Sequence, residues 1–168
     1  MSSIRVGLGY DVHPFVATTD DARPLVLAGV VLDGPGLDGH SDADAVCHAV
    51  ADALLGPAGL PDLGTLFPAS DDRYRRASSV ELLRDVVDRI AAEGWSVVNV
   101  DVVIAAEQPR LATHLGAMVA NLTEILGDAF VSVKPKRGEG IGAVGRVEGI
   151  ACWAVALLER SDTPAVEP

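Results

Sequence analysis

The sequence predicts a single domain of the α/β class, in which helices cover a sheet, and three properties lead to this prediction. The 168 residues suffice for one domain with a hydrophobic core but not for two. Apolar residues make up 49% of the chain, which excludes an intrinsically disordered protein. Only 4% of the residues are aromatic, so Val, Leu, Ile and Ala must fill the core, as they do where helices pack on a sheet.

The first third of the chain is predicted to contain two strands and a helix. Residues 4–10 form a strand whose two glycines indicate a close approach of another backbone. Residues 24–32 form a second strand that pairs with the first in a hairpin, and residues 33–39 form a turn. A helix then begins with Ser41 as its N-cap and ends at Gly56-Pro57.

Two helices and three strands are predicted in the remainder. Capping residues, an apolar stripe and a terminal glycine indicate each helix, and β-branched or continuously apolar runs indicate buried strands. The predicted elements are a helix over 79–93, a strand over 95–106, a helix over 109–126, a strand over 129–133 and a strand over 150–158. We interpret residues 1–160 as the domain and residues 161–168 as a flexible C-terminal tail.

Charge and cysteine content restrict the partners and the compartment. The formal net charge of −11 argues against nucleic acid or an anionic membrane as a partner, because both are polyanions. Cys47 and Cys152 form no CxxC pair, so a disulfide framework is not expected. No signal peptide is expected in residues 1–11, and no apolar run reaches the length of a membrane span. We therefore expect a cytoplasmic protein.

Two short motifs carry side chains that bind metals. Asp11 and His13 directly follow the predicted strand 4–10, and on an extended strand two side chains that are two residues apart share one face. His48 follows a cluster that contains His40, Ser41 and two aspartates. An alternative explanation of the two aspartates is that their negative charges complement the helix dipole. One carboxylate and two imidazoles with an open fourth position suit a catalytic Zn²⁺, whereas structural zinc sites are usually rich in thiolate.

A glycine-rich basic segment, residues 134–146, is the densest positive region of this acidic chain. Glycines let backbone N–H groups approach a phosphate, and Lys or Arg supplies charge, so the segment is a candidate phosphate-binding loop. A mobile surface loop is the alternative. Its GxGxxG, Gly140 to Gly145, is not a dinucleotide fingerprint, because too little chain follows for the required helix and strand.

These motifs, taken in order, resemble the 2-C-methyl-D-erythritol 2,4-cyclodiphosphate synthase family. The matching segments are VGLGYDVHPF, GHSDADAVCHAVADALLG, LPDLGTLFP, NVDVVIAAEQPRL and GRVEGIA, and they extend from Arg5 to about Leu158. The resemblance implies an enzyme of the non-mevalonate isoprenoid pathway that closes a cyclic diphosphate and releases CMP. It also implies an α/β (α+β) fold with a mixed four-stranded sheet covered by helices on one face, a short N-terminal hairpin, and a homotrimer with active sites between subunits.

The resemblance implies a role for each matching residue. Asp11, His13 and His48 match the zinc ligands of the family, and Glu139 matches the acid that holds a second divalent ion, Mg²⁺ or Mn²⁺. His40 matches a catalytic residue that stabilises the transition state. The residues implied to bind the cytidine diphosphate substrate are Ser41, Asp62, Leu63, Gly64, Phe67, Asp71, Ala106, Pro109, Arg110, Leu111, Ala112, Lys136, Gly138 and Arg146.

The chain departs from the family pattern on the phosphate-binding side. Consecutive threonines of the family are replaced by Lys136, Arg137 and Gly138, and the threonine that positions the transferring phosphate corresponds to Arg137. We interpret Arg137 as a catalytic residue, because its guanidinium offers a planar fork of donors to phosphoryl charge. The alternative is a zinc-binding trimeric homologue that acts on, or senses, a different phosphorylated ligand. Ala69 and Ala143 are further departures.

Overall fold

In the described residues, four strands form the main sheet, and a hairpin and five helices pack around it. The computed structural model describes residues 3–17, 23–127 and 129–160. In chain order the elements are β1 (Ser3–Pro14), β2 (Leu25–Leu27), β3 (Val30–Leu32), α1 (Ala45–Ala58), α2 (Leu63–Leu66), a 3₁₀ turn (Asp72–Tyr74), α3 (Ser79–Ala92), β4 (Ser96–Ala105), α4 (Leu115–Leu126), β5 (Phe130–Lys136), α5 (Gly142–Gly145) and β6 (Gly149–Arg160).

The sheet is mixed, as the resemblance implied. Its order is β1-β6-β4-β5, with antiparallel pairs except for the parallel pair of β4 and β5. The parallel pair is joined through α4, which packs against β5. The carboxyl ends of β4 and β5 therefore meet at the same edge of the sheet, where loops after parallel strands commonly bind ligands.

The predicted pairing of the first two strands is wrong. β1 pairs along its whole length with β6, from Ser3 opposite Arg160 to Pro14 opposite Gly149. The hairpin lies instead within residues 25–32, where β2 and β3 pair across a turn at Ala28 and Gly29. Both turn residues have positive φ, 51° and 72°, as a tight hairpin turn requires.

A buried carboxylate explains why an alanine adopts this turn. Asp44, which is 0% exposed, accepts hydrogen bonds from the backbone N–H groups of Ala28 (2.8 Å) and Gly29 (2.7 Å). The same side chain caps α1 by accepting from the N–H groups of Val46 and Cys47. Asp44 thus joins the hairpin to the first helix, and this long-range contact has no local signature in the apolar run 25–32.

Helix α1 lies directly on β1, as the two strand glycines predicted. A Cβ atom on Gly7 would come within 2.0 Å of the Ala53 carbonyl oxygen, and one on Gly9 within 1.8 Å of the Ala49 oxygen. No side chain larger than hydrogen fits between the two backbones. The helix therefore approaches the strand closely enough to bring its first turns beside the end of β1.

Four predicted boundaries are corrected by the structure. Helix α1 begins at Ala45 with Asp44 as N-cap, so Ser41 is not the N-cap, and it ends two residues beyond Gly56 at Ala58, before the left-handed C-cap Gly59. Helix α4 begins at Leu115 instead of residue 109, and residues 109–114 form a loop. Strand β5 continues to Lys136, because residues 130–136 pair in parallel with β4.

Other predicted elements are confirmed. Helix α3 spans Ser79–Ala92 and is followed by Gly94 at φ 81°, β4 falls within the predicted 95–106, and 150–158 is a strand. Ser78 is the N-cap of α3, but its side chain makes no capping hydrogen bond. The predicted tail, 161–168, lies outside the described residues.

The face of β1 that points away from α1 has no cover in the described chain. Along this strand the alternate residues Ile4, Val6, Leu8, Tyr10 and Val12 are 49–68% exposed, and all are apolar or aromatic. Trp153 and Val155 of β6 extend the same surface. The helices thus cover one face of the sheet at this edge, as implied. In the part of the chain that the structure describes, no helix has both the length and the apolar character needed to cross a membrane.

Candidate active site

Asp11, His13 and His48 form a compact group of metal-binding side chains. Asp11 and His13 lie on the same face of β1, and the close packing of α1 brings His48 beside them. Asp11 Oδ2 is 2.9 Å from His13 Nε2 and 3.0 Å from His48 Nδ1, and the two ring nitrogens are 3.2 Å apart. Within the described part of the chain, this is the only group of three or more His, Cys, Asp or Glu residues arranged to hold one ion.

The second nitrogen of His13 is fixed by the backbone. His13 Nδ1 lies 2.7 Å from the carbonyl oxygen of Asp38, which can only accept, so Nδ1 carries a proton and Nε2 has a lone pair when the ring is neutral. Gly39 permits this contact, since a Cβ there would lie 3.0 Å from His13 Cε1. Orientation of a ligating imidazole through its other nitrogen is the usual arrangement in metal sites.

The charges of the three side chains are strongly coupled. Burial raises the pKa of Asp11, but the hydrogen bonds that His13 and His48 donate to it when each ring carries a second proton, together with the charge of those rings, outweigh this effect and hold that pKa well below its usual range. Burial lowers the pKa of His13, but the hydrogen bond and charge of Asp11 raise it overall. A half-buried carboxylate shared by two imidazoles thus attracts positive charge. The donor set of one oxygen and two nitrogens fits a divalent cation with an open coordination position.

A cavity of about 290 Å³ opens beside the three side chains. It contains five more of the residues predicted for the site, together with side chains that the sequence had not indicated. The lining residues are Asp11, His13, His40, Ser41, His48, Asp52, Leu63, Gly64, Phe67, Ala69, Tyr74 and Leu82. The cavity therefore combines a metal-binding group with the loops around α2 and before α1.

Asp62 and Asp71 do not line this cavity. The Asp62 side chain is the N-cap of α2 and accepts from Thr65 N at 2.7 Å. Hydrogen bonds from the Thr65 side chain and from this backbone N–H hold the pKa of Asp62 low. The Asp71 carboxylate pairs with Arg73, while its backbone oxygen contacts His40 Nε2 at 3.0 Å. In the single chain both carboxylates stabilise loop structure, and Asp71 orients His40 through its carbonyl group.

Asp52 was not identified from the sequence, although it follows His48 by one helical turn. Asp52 Oδ1 accepts the backbone N–H of Leu63 at 2.8 Å, which ties α2 to α1. Half-burial raises the pKa of this carboxyl group, and the negative charges of Asp62 and Asp11 raise it further. The i, i+4 spacing from His48 was the available signal, since it places both side chains on one helix face.

A second cavity, of about 250 Å³, lies at the carboxyl ends of β4 and β5. It collects most residues of the predicted cytidine and phosphate loops, and it shares no lining residue with the first cavity. Its lining residues are Ala106, Glu107, Pro109, Arg110, Leu111, Ala112, Pro135, Lys136 and Arg137. The parallel pairing of β4 and β5 explains why two segments distant in sequence meet here.

Glu107 organises the basic segment at this cavity. Its carboxylate pairs with Arg137 and accepts the backbone N–H of Gly138 at 2.9 Å. Arg137 holds the pKa of Glu107 below its usual range. The sequence indicated the stretch that contains Glu107 but not this role, which depends on a contact 30 residues away along the chain.

Glu139 and Arg146 lie outside both cavities in the single chain. Glu139 is exposed and adopts φ 51°, and Arg146 pairs with Glu148 at 2.6 Å. Neither side chain lies beside Asp11, His13 or His48 as a lining residue of their cavity. In one chain, the predicted site residues that line a cavity therefore form two separate groups, and Glu139 and Arg146 belong to neither.

Comparison with known proteins identifies the family. The model of the YgbB family matches residues 4–159, which is nearly the whole chain. The chain belongs to the YgbB family. A 2-C-methyl-D-erythritol 2,4-cyclodiphosphate synthase from Bordetella petrii is 51% identical over 160 residues, covering 94% of this chain and 96% of that protein.

Solved structures with a similar fold agree with this assignment. The bifunctional IspDF from Campylobacter jejuni superimposes with a TM-score of 0.88 at 37% identity, over 96% of this chain and 44% of that chain. IspF from Plasmodium falciparum, in a complex with CDP, superimposes with a TM-score of 0.81 at 31% identity, over 95% and 97% of the two chains. The single-domain α+β fold of this chain is therefore the fold of the YgbB family.

Proposed function

We propose that this protein is a metal-dependent cyclodiphosphate synthase of non-mevalonate isoprenoid precursor biosynthesis. It converts 4-diphosphocytidyl-2-C-methyl-D-erythritol 2-phosphate to 2-C-methyl-D-erythritol 2,4-cyclodiphosphate and releases CMP. The observation that carries the proposal is the Asp11–His13–His48 group, which lines a cavity in a chain 51% identical to a 2-C-methyl-D-erythritol 2,4-cyclodiphosphate synthase.

The proposed reaction is an intramolecular displacement at phosphorus. An oxygen of the 2-phosphate forms a bond to the β-phosphorus of the cytidine diphosphate group, and the bond from that phosphorus to the bridging oxygen breaks, so CMP leaves with the electron pair. No side-chain nucleophile is required. The protein accelerates the step by holding both phosphate groups in line, which removes most of the entropy cost of bringing them together.

Asp11, His13 and His48 are proposed to hold Zn²⁺, and Glu139 to contribute to a second site for Mg²⁺ or Mn²⁺. When bound, these ions neutralise phosphate charge and polarise the phosphorus. The fixed Nδ1–H of His13 supports the zinc assignment. A single exposed carboxylate supports Mg²⁺ at Glu139, because this ion is usually held by one or two carboxylates together with substrate phosphates and water.

The two cavities suggest how the substrate is divided between chain segments. His40 and Ser41, beside the metal group, are proposed to contact the phosphate, and Leu63, Gly64 and Phe67 the methylerythritol part. Asp62 and Asp71 are proposed to contribute to substrate binding through the helical turns that their side chains cap. Further substrate contacts are proposed for residues at the second cavity and its basic segment: Ala106, Pro109, Arg110, Leu111 and Ala112 for the cytidine, and Lys136, Arg137 and Gly138 for the diphosphate.

We propose a homotrimer in which each active site forms between neighbouring subunits. Two observations support this assembly: the apolar outer face of β1 is uncovered, and the two cavities share no lining residue in one chain. Arg146 is proposed to lie near the threefold axis. We also propose a cytoplasmic location, with which the two free, buried thiols of Cys47 and Cys152 agree.

A second candidate function is a zinc-binding trimeric homologue that uses another phosphorylated ligand. The observation in its favour is the engagement of Arg137 by Glu107 at the position of a family threonine. In this arrangement the guanidinium occupies space at the edge of the second cavity. Such a homologue would bind zinc and assemble normally but would not release CMP.

Release of CMP from the proposed substrate tests the two candidates. The purified protein is supplied with Zn²⁺ and Mg²⁺ and compared with a His48→Ala variant. Turnover that disappears in the variant supports the cyclase. A folded, zinc-loaded protein without turnover would refute the cyclase and leave the altered ligand as the function of this fold.

A further inference from the structure

Ser79 connects the candidate metal centre to an aspartate that is not itself a proposed ligand. The residue opens α3 and is 1% exposed, and its Oγ lies 2.8 Å from Nε2 of His48, on the side of the ring opposite to the Asp11 contact. Ser79 Oγ also makes a short hydrogen bond to Asp42 Oδ1. The other oxygen of Asp42 accepts the backbone N–H of Ser79 at 3.1 Å.

The directions of these hydrogen bonds follow from which groups can donate. A carboxylate has no proton to give, so the Ser79 hydroxyl donates to Asp42. A hydroxyl has only one proton, so Ser79 Oγ accepts at its two other contacts, with Ser41 Oγ at 3.3 Å and with His48 Nε2, and His48 Nε2 must donate to it. A neutral imidazole protonated on Nε2 has its lone pair on Nδ1, which is the atom 3.0 Å from Asp11 Oδ2.

We propose that Asp42 and Ser79 are positioning residues for the metal centre. They fix the ring of His48 in the tautomer and orientation in which Nδ1 is available to a cation held with Asp11 and His13. This inference rests on the proposed metal site and adds two residues to it. It also gives Asp42 a role other than the expected one at the first turn of α1, because that helix begins only at Ala45.

Ser41 also lies near the same ring nitrogen but is less suited to this role. Its Oγ is 3.1 Å from His48 Nε2, and it already accepts the backbone N–H of Ala43 at 3.1 Å. No carboxylate contact directs the Ser41 proton in the described hydrogen bonds, whereas Asp42 directs that of Ser79. Ser41 remains oriented towards the cavity, where it is a proposed phosphate ligand.

The test measures zinc affinity in the full-length protein by competition with a chromogenic chelator. Ser79→Ala removes the hydroxyl that accepts the His48 Nε2 proton. Asp42→Asn replaces the carboxylate with an amide that can donate, so the proton of the Ser79 hydroxyl is no longer directed away from the His48 ring. We expect each change to weaken zinc binding by about 10- to 100-fold, as for other outer-shell partners of metal ligands. Ser78→Ala is the matched control, because this neighbouring serine is exposed and makes no capping bond, and its zinc affinity should be unchanged.

A nuclear magnetic resonance measurement separates positioning from a general loss of structure. In the zinc-loaded protein with ¹⁵N-labelled histidine, the Nε2–H proton of His48 should exchange slowly with water, and Ser79→Ala should make this exchange faster. If Ser79→Ala binds zinc more weakly but the exchange rate of the His48 Nε2–H proton is unchanged, Ser79 has a purely structural role and the inference is overturned. If Ser79→Ala does not fold, Asp42→Asn decides by the same two measurements.

His48→Ala distinguishes failure of the inference from failure of the metal site. If this variant loses zinc while Ser79→Ala and Asp42→Asn bind it as tightly as the unchanged protein, the inference is wrong and the metal site stands. If His48→Ala binds zinc as tightly as the unchanged protein, the proposed metal site itself is wrong.

Discussion

At the scale of single residues, the central feature of the candidate metal centre is that a proton and a cation compete for the same side chains. Asp11 is shared by two imidazoles, and each imidazole is oriented by a second contact: the Asp38 carbonyl for His13 and Ser79 for His48. In the metal-free protein a proton provides the positive charge that the carboxylate attracts. A bound cation replaces that proton, so metal binding and protonation must compete.

This competition predicts opposite effects of pH on stability with and without metal. The pKa of His13 is raised in the folded protein, so its contribution to stability is complete below the unfolded value of 6.5 and is lost as pH rises through the folded value. The pKa of Asp11 is lowered, so its contribution is present above 3.8 and is lost as pH falls towards the folded value. Thermal melting of the metal-free protein should therefore show stability that decreases as pH rises above 6.5.

Zinc should reverse this trend, because its ligands bind best when deprotonated. The stabilisation by a fixed zinc concentration should increase over the same pH range. Asp11→Asn serves as the control, since it removes the charge that raises the pKa of His13, and its metal-free melting temperature should change less with pH. A metal-free protein whose stability is independent of pH above 6.5 would contradict the proposed coupling.

A second prediction at this scale concerns Arg137. If its guanidinium stabilises phosphoryl charge, Arg137→Ala should lower kcat for CMP release by about 10²- to 10³-fold, the usual cost of removing such a donor. Arg84→Ala, which removes an arginine paired with Glu124 away from both cavities, is the control and should retain full activity. An Arg137→Ala enzyme with unchanged kcat would show that this side chain is only tolerated at the position.

At the scale of elements, the packing of α1 on β1 determines whether the three ligands meet. Two of them belong to the strand and one to the helix, and the distance between the elements is set by Gly7 and Gly9. The short separation is therefore a requirement of the candidate metal site, although neither glycine contacts one of its three side chains in the described interactions.

Gly9→Ala should disturb the candidate metal site by increasing the separation between α1 and β1. The added Cβ would meet the Ala49 carbonyl oxygen at 1.8 Å, and this backbone atom cannot turn away, so α1 must move. We expect a loss of unfolding free energy of at least about 1–3 kcal/mol, typical of overpacking, together with weaker zinc binding. Chemical denaturation and zinc titration measure the two effects.

Gly116→Ala is the matched control for this prediction. Gly116 lies in α4, and a Cβ there meets no atom within 4 Å. The change should stabilise the protein by about 0.5–1 kcal/mol, because alanine loses less conformational freedom in a helix. If both variants were equally stable, the close approach of α1 and β1 would not constrain the fold as we argue.

At the scale of the whole molecule, the exposed apolar face of β1 and the separation of the two cavities point to the same assembly. An isolated subunit would expose Ile4, Val6 and Leu8 to water along one strand. Large contiguous apolar patches are unusual on monomeric proteins and mark interaction surfaces. Burial of this face between subunits would also allow the two cavities of different chains to form one site.

Leu8→Asp should therefore convert the proposed trimer to monomers and abolish CMP release, because the leucine is 68% exposed at the centre of this face. Val31→Asp is the control: Val31 is 65% exposed but lies on β3, away from this face, and its variant should remain trimeric and active. Light scattering with size-exclusion chromatography measures the mass. A wild-type protein that is monomeric, or a trimeric Leu8→Asp variant, would contradict the proposed assembly.

The sequence alone determined the features that depend on local order. Strand periodicity placed Asp11 and His13 on one face, the β-strand glycines indicated the approach of a helix, and the segments that became α3, β4 and β6 were recognised from their apolar patterns. Residue chemistry made His48 a candidate ligand beside Asp11 and His13, and the resemblance to a known family supported this role. These features follow from residues near one another along the chain.

Only the tertiary structure decided which distant groups meet. The turn at Ala28 and Gly29 depends on the Asp44 carboxylate, the loop at Gly138 depends on Glu107, and the orientation of His48 depends on Ser79 and Asp42. Each is a hydrogen bond between residues 15 or more positions apart, and such a bond leaves no periodicity in the sequence. A buried polar group must find a partner somewhere in the fold, but its own sequence neighbourhood does not specify which one.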